Sequence, residues 1–538
     1  MRLTCIIATV ALALTGSIAA GEDWPQWGGD SGRNMASDAK NMPLSFGPGK
    51  LQNGTRRIDM SKTRNVKWAI SLGSQTYGNP VISNGKLIVG TNDAMLKDRR
   101  FARTRGSVVL CCDVRTGRRL WKLVIPRYVV KERGFYMDQM NLGVCNSATI
   151  EGDRAYLVTG RGEVLCLDMN GQSDGNDGPF QDEGKFMVPA GRPGAKLDKS
   201  DADIIWRYDM ITALPVRPHD AVSCAALIHG DFIYAGTSNG PDLSHINVPY
   251  PDAPSLIVLN KKTGKLAAVD DEKIGRRVLH GQWSSPSLGK VGDKTLIFFG
   301  GGDGLLYAFE AISKMPEGDK PALLKKAWSY DCNPRDYRYD ENGKKRLYQR
   351  LNGPAKNKVR RNGPSEIIAT PVFHKGRVYV ATGHDPNHGT GLGMLSCVDA
   401  ATGKKVWDSR LVERSLSTCS IYDGLCFIAD YSGNVNCFDA ETGKHHWTHS
   451  TDRNFKKHPY WPDSPLWSST FAVDGKVYLG TERKELWVFK ADRKKKILNK
   501  IGLLDKMSGT PIIADGVMYI NTGRYLYAVA GKSKSPEK

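Results

Sequence analysis

The residues of this chain with the widest chemical range are its eleven histidines and a set of acids placed beside them. Several gather in Gly/Pro-rich segments: Leu214-Pro215-Val216-Arg217-Pro218-His219-Asp220, the isolated His245, His280-Gly281-Gln282-Trp283, Asp303 in a glycine run, and Gly383-His384-Asp385-Pro386-Asn387-His388-Gly389. Imidazole titrates near neutrality and is the commonest transition-metal ligand. His384 and His388 flank a proline-containing turn, so they share no helical face. Either could still meet His219 or His280 around a metal; the plainer expectation is hydrogen bonding to loop backbone. Asp220 and Asp385 are the acids to weigh as a general base. Trp283 could form a stacking floor or pack in the core. The expected ligand-binding rim is therefore His219, His280, Trp283, Asp303, His384 and His388. A second candidate is the acidic loop Asp174-Gly175-Asn176-Asp177-Gly178. Asp174, Asn176 and Asp177 offer hard oxygen donors for Ca²⁺, without the complete spacing of a known calcium loop. A polar turn is the alternative. No Gly-x-Ser-x-Gly element, phosphate loop or His-Glu-x-x-His sequence occurs.

The elements that must position these residues are repeats. A small residue, Ser/Thr, Pro, a short apolar run and an Asn-Gly or Asp-Gly turn lead into a β-branched strand. A later strand ends near Asp-x-x-Thr-Gly-Lys and is followed by one that usually contains Trp. The clearest copies are Val398-Asp399-Ala400-Ala401-Thr402-Gly403-Lys404-Lys405-Val406-Trp407 and Phe438-Asp439-Ala440-Glu441-Thr442-Gly443-Lys444 with Trp447. Asn-Gly between β-rich runs signals a hairpin, because the tight turn needs positive φ. The first-strand anchor falls at Pro80, Ala148, Ala226, Pro286, Pro371, Cys419, Thr470 and Pro511. The shortest spacing, Thr470 to Pro511, is near the roughly 40–45 residues of a four-stranded blade. The last copy lacks its outer strand, and an orphan outer strand sits at Val66 to Leu72. These features predict an all-β fold: an eight-bladed β-propeller of four-stranded repeats, closed by that N-terminal strand. Trp68, Trp121, Trp206, Trp328, Trp407 and Trp447 fall at the outer-strand position and are read as structural, docking one blade on the next.

Residues 1–20 read as a secretory signal, with Arg2, an apolar run and then small residues. Residues 21–64 form an N-terminal arm carrying Trp24 and Trp27, residues 65–531 the propeller, and 532–538 a tail. The apolar run is too short to be a dependable membrane span. Eleven cysteines in an exported chain invite a disulfide reading. However, Cys111, Cys166, Cys397 and Cys437 recur at one repeat position. They are expected as buried free thiols, since equivalent positions of different blades are too far apart to bridge. The formal charge is +20, with a basic stretch from Arg335 to Arg361 that suits an anionic surface or a solvated insertion.

The Asp-x-x-Thr-Gly-Lys-x-x-Trp phrase resembles the PQQ-type repeat, shared by quinoprotein alcohol dehydrogenases and the propeller lipoprotein of the outer-membrane β-barrel assembly machine. The resemblance spans roughly residues 65–531. It implies the fold but not the activity, since the same repeat serves a redox enzyme and a scaffold. Cofactor-binding members stack a quinone on a Trp at the ring axis, with Ca²⁺ and an Asp base. They also carry a disulfide between adjacent cysteines; Cys111-Cys112 is such a pair here, but the repeat alone accounts for it.

In a propeller, the second-to-third and blade-to-blade connections share one face. All the histidine-bearing segments above fall in that group, as do Lys131 to Tyr136 and Tyr460-Trp461. The leading expectation is a periplasmic or secreted, monomeric binding or scaffolding module that engages a protein or polysaccharide at this rim. No cofactor, nucleic acid or membrane span is expected. The alternative is a PQQ- and calcium-dependent alcohol or sugar dehydrogenase. No Cys-x-x-Cys-His haem attachment motif occurs, so such an enzyme would need an external electron acceptor.

Overall fold

In the computed structural model the described residues are 23–102, 104–129, 135, 137, 140–346, 363–385, 392–451 and 465–531. Residues 1–20, expected from the sequence as a secretory signal, the tail, His388, Tyr460, Trp461 and most of the basic stretch lie outside them. They form eight four-stranded antiparallel blades, counted here as 1 to 8 in chain order of their inner strands; the sheets of blades 3 and 7 each gain a short fifth, parallel strand. The inner strands are Val81–Ser83, Thr149–Glu151, Leu227–His229, Ser287–Val291, Val372–His374, Ser420–Tyr422, Phe471–Val473 and Ile512–Ala514. The outer strand of blade 8 is Val66–Ser71, which pairs with Tyr525–Ala530. The first and last parts of the propeller thus share one sheet, and the ring is closed. Single-turn α-helices occur at Glu183–Phe186, Met210–Ala213 and Arg335–Arg338.

One irregularity recurs in every blade. The register between third and fourth strands shifts after Cys111, Cys166, Val258, Ala308, Cys397, Cys437, Val488 and Ala528. A bulge bends the strand and raises its local twist. The residue just before the shift faces the outer strand. Where the outer residue is Trp, its partner is Cys or Ala: Cys111 faces Trp121, Cys397 faces Trp407 and Ala528 faces Trp68. In blades 3 and 7 the outer residue is Ala268 or Asn499, and the partner is Val. Cross-strand neighbours sit about 4.5–5.5 Å apart, so a bulky indole needs a small partner. This is the reason for the recurring cysteines.

Each of these indoles also reaches the next blade. The Nε1–H of Trp68, Trp121, Trp206, Trp328, Trp407 and Trp447 donates to the carbonyls of Val114, Met169, Lys261, Ala400, Ala440 and Asp492. In the clearest copies the receiving carbonyl lies in the Asp-x-x-Thr-Gly turn. There Asp399 Oδ1 accepts from the Thr402 amide at 2.9 Å and its hydroxyl at 2.7 Å. These hydrogen bonds hold the Asp399 carboxyl below its ordinary range.

The N-terminal arm covers one end of the ring axis. It exchanges backbone hydrogen bonds with the inner strands of blade 1 through Trp24 and Ile82, blade 4 through Ser31 and Leu288, and blade 5 through Gly32 and Phe373. It continues to blade 7, where Ala36–Ser37 adds a parallel strand beside Phe471–Val473. Arg33 is fully buried beneath the axis, donating to the carbonyls of Pro286, Ala226 and Trp27. Burial pulls its guanidinium down to about 10.

The ten described cysteines are free, and all but Cys145 are buried. Cys111 and Cys112 pair across the sheet with Ile88 and Leu87, successive positions on opposite faces of the blade.

Candidate functional site: an axial cavity and a histidine trio

Each blade is entered through an extended segment whose alternate residues point at the axis. The residue just before the anchor is Asn79, Ser147, Ala225, Ser285, Thr370, Thr418, Ser469 or Thr510. The residue three before it is Tyr77, Cys145, Ser223, Trp283, Ile368, Leu416, Trp467 or Ser508. All sixteen line one cavity of about 370 Å³, and the period of two is that of a strand.

The inner tier is mostly short and polar, and it ties the blades together. The amide of Ala225 donates to Ser285 Oγ, Thr418 to Ser469 Oγ, Ser469 to Thr510 Oγ1, and Thr510 to Asn79 Oδ1, at 2.8–2.9 Å. Trp27, from the arm, also lines the cavity. The outer tier is varied and carries the aromatic surface. Tyr77 and Trp467 meet edge to face at 6.1 Å, and Tyr431 backs Trp467 at 5.4 Å. Asp220 and Asp385, the two acids singled out from the sequence, both line the cavity. Asp220 holds a left-handed backbone, φ 63, and the Asp385 amide donates to Glu366 Oε1 at 2.8 Å.

Behind Trp283 and Asp220 lies a cluster of three imidazoles. His219, His245 and His280 each present one ring nitrogen, all within 4.8 Å of one another. His219 comes from the connection into blade 3, His245 from that blade's second-to-third loop, and His280 from the connection into blade 4. His219 and His280 are buried, and their rings meet edge-on at 4.6 Å. His245 stacks on His280 at 5.2 Å, with its Nδ1 3.0 Å from His280 Nε2. His219 Nδ1 lies 2.7 Å from the Pro241 carbonyl. That oxygen can only accept, which places the His219 proton on Nδ1. Gly240 allows this approach, since a Cβ there would lie 2.9 Å from His219 Cβ. Gln282 Nε2 donates to the Asn239 carbonyl at 2.6 Å, and Trp283 Nε1–H to that of His219 at 3.3 Å.

The remaining sequence-predicted residues are placed elsewhere. His384 bonds Ser365 Oγ through Nδ1 at 2.7 Å and does not belong to the trio. Asp303 is clamped by the Tyr307 hydroxyl at 2.7 Å and Arg277 Nε at 3.1 Å, away from the cavity wall. In the acidic loop the grouping differs from the expected one. Asp177 meets Asp168 and Asp203, whereas Asp174 accepts from Asn170 and Asn176 donates to Glu183. Burial raises Asp168 and Glu183, and pushes Asp203 up to about 7. Through one oxygen each, Asp168, Asp177 and Asp203 would supply three of the ~6–8 oxygens that Ca²⁺ takes. Within the basic stretch, Arg338 is occupied by Asp331 and by the Asp303 carbonyl.

Sequence reasoning missed the two tiers and the role of His245. The tiers had a signal: Tyr77, Trp283 and Trp467 each stand three residues before their anchor. His245 had none, since only the fold brings its loop over the other two.

A PQQ-repeat family model, described as outer membrane protein assembly factor BamB, matches residues 105–313. That stretch runs from the third strand of blade 1 to just beyond the third strand of blade 4. Over that stretch the chain is similar to a propeller of PQQ-type repeats. Among solved structures, a quinohemoprotein alcohol dehydrogenase from Pseudomonas putida HK5 is similar to this propeller, at TM-score 0.52 and 10% identity over 96% of this chain and 81% of that one. A europium-containing methanol dehydrogenase gives 0.51 and 11% identity, over 94% and 90%. BamB from Moraxella catarrhalis gives 0.36 and 11%, over 84% and 85%. At such identities the likeness speaks for the fold alone. No curated protein matches the sequence.

The family resemblance raises a quinone at the axis, and the cavity can be tested for it. Pyrroloquinoline quinone carries three carboxylates. Among the described lining residues there is no Lys or Arg, and two are Asp. The wall would meet an anionic cofactor with its own sign, so these residues would take that group only through a bridging cation such as Ca²⁺.

Proposed function

We propose that this PQQ-type propeller is an exported binding module that takes a neutral sugar unit of a polysaccharide into its axial cavity from the loop-rich face. The observation that carries the reading is the wall itself: Tyr77, Trp283 and Trp467 stand over one cavity with Asp220 and Asp385. Aromatic faces cover the apolar side of a pyranose, and carboxylates accept from its hydroxyls. The volume falls within the ~300–1,000 Å³ of small-molecule pockets. Export is supported by the character of residues 1–20 and by the family model's description as an outer membrane assembly factor.

The test is calorimetric titration of the mature protein with neutral oligosaccharides, and separately with pyrroloquinoline quinone with and without Ca²⁺. Saccharide binding weakened tenfold or more by Asp220→Asn or Trp283→Ala supports the proposal. Stoichiometric, calcium-dependent quinone binding with no saccharide response overturns it in favour of a dehydrogenase.

A further inference from the structure

We infer that His219, His245 and His280 form a binding site for a single divalent transition metal, Zn²⁺ or Cu²⁺, set directly behind the wall of the axial cavity. The inference does not depend on which ligand the cavity takes.

Three features carry it. The donors are three imidazoles from three separate connections, brought together by the fold rather than by sequence proximity. Imidazole nitrogen is a donor set that suits Zn²⁺ and Cu²⁺ and is poor for Ca²⁺ or Mg²⁺. Secondly, His219 has the outer-sphere arrangement of a ligand. Its Nδ1–H is engaged by the Pro241 carbonyl at 2.7 Å, which leaves Nε2 as the lone-pair nitrogen and fixes the ring. Thirdly, the spacing is near what a metal requires. Tetrahedral Zn–N bonds of ~2.0–2.1 Å put two nitrogens about 3.3–3.4 Å apart. His245 Nδ1 and His280 Nε2 already stand at 3.0 Å. The widest separation, within 4.8 Å, closes with a movement of about 1–1.5 Å. His245 is the ligand placed to supply that movement, as a half-buried residue in a loop rather than a strand.

Binding keeps all three imidazoles neutral. The proton that His245 and His280 share moves to the far nitrogen of one ring, and no oxidant or reductant is involved. The consequence for the cavity is mechanical. Trp283 lies 5.5 Å from His280 and donates to the His219 carbonyl, and Asp220 is the next residue after His219. A metal would therefore stiffen the part of the wall that carries Trp283 and Asp220.

The experiment uses the full mature chain, stripped by chelator and titrated with Zn²⁺ by calorimetry and with Co²⁺ by visible absorption. One equivalent should bind at micromolar affinity or better, and Co²⁺ should develop the intense d–d bands of a four- or five-coordinate nitrogen site. His245→Gln, at the half-buried position least able to disturb folding, should weaken binding by 10-fold or more. His229→Gln and His384→Gln, outside the trio, should leave it unchanged. Failure to bind at 100 µM metal overturns the inference, as does binding of equal affinity in wild type and His245→Gln. Should His219→Gln or His280→Gln fail to fold, the His245 variant still decides.

Discussion

Gly443 lies beneath the indole of Trp407: a Cβ on this residue would sit 2.6 Å from the ring's Cδ2. The indole in turn donates to the Ala440 carbonyl at 3.1 Å, in the same turn. Gly443 and Gly424 both take φ +71, but nothing lies within 4 Å of a Cβ built on Gly424. The pair separates backbone strain from blade docking. Gly424→Ala should cost about 1–2 kcal/mol for the left-handed backbone alone. Gly443→Ala should cost ~2–3 kcal/mol more, because the indole must leave its seat. Equal losses in denaturant melts would mean that the indole contributes nothing across the blade boundary.

Asp203 should make stability depend on pH. Its side chain is buried near the carboxylates of Asp168, Asp177 and Glu183, and it titrates near 7 instead of the usual 3.8. The folded state thus holds this proton more tightly than the unfolded chain does. The stability contributed by this group is greatest below about pH 4, falls as the pH rises toward 7, and levels off above it. Asp203→Asn, which cannot ionise, should raise the melting temperature at pH 8 and change it little at pH 4. A variant that melts lower than wild type at pH 8 would show that the ionised carboxylate is stabilising.

The repeat, the blade number and the closing strand were legible because their signals are local. A Trp, an Asp-x-x-Thr-Gly turn and an Asn-Gly hairpin each lie within a few residues, and they recur in register. The site was less so. Asp220 and Asp385 could be named as acids on the loop-rich face, but their meeting in one cavity depends on ring closure. His384 and His280 look equivalent in sequence, as histidines beside glycine in rim loops. Only the path of the His245 loop decides that one joins a trio and the other bonds Ser365. The acidic loop misled for the same reason. Asp177 finds its partners at Asp168 and Asp203, one before the loop and one well after it, instead of among its neighbours.

Cys145 should be the reactive thiol of the folded chain. Among the described cysteines it alone is not buried, and it lines the axial cavity. Burial pushes the thiols of Cys166 and Cys397 up to about 12, far from the thiolate form that reacts at neutral pH. A maleimide should therefore label Cys145 first in the native mature protein, and the others only in denaturant. Saccharide in the cavity should slow the labelling. Labelling of Cys111 or Cys112 at a comparable rate would show that blade 1 opens.

The seam between blades 8 and 1 is held at two radii. Near the axis the Thr510 amide donates to Asn79 Oδ1 at 2.9 Å, and Asn521 Nδ2 to the Gly78 carbonyl at 3.1 Å. At the periphery Val66–Ser71 completes blade 8, and Trp68 reaches over to the Val114 carbonyl of blade 1 at 3.0 Å. The outer contact should dominate, since it buries an indole, worth roughly 3–5 kcal/mol on truncation, against ~0.5–1.5 kcal/mol for each inner hydrogen bond. Deleting residues 61–74 should therefore lower the melting temperature sharply. It should also cause aggregation, because Tyr525–Ala530 becomes an unpaired apolar edge. A synthetic peptide of residues 61–74 added in trans should restore part of the loss. Trp68→Ala alone should keep the strand and lose the docking, falling between deletion and wild type. Unchanged melting in the deletion variant would mean that the inner hydrogen bonds close the ring unaided.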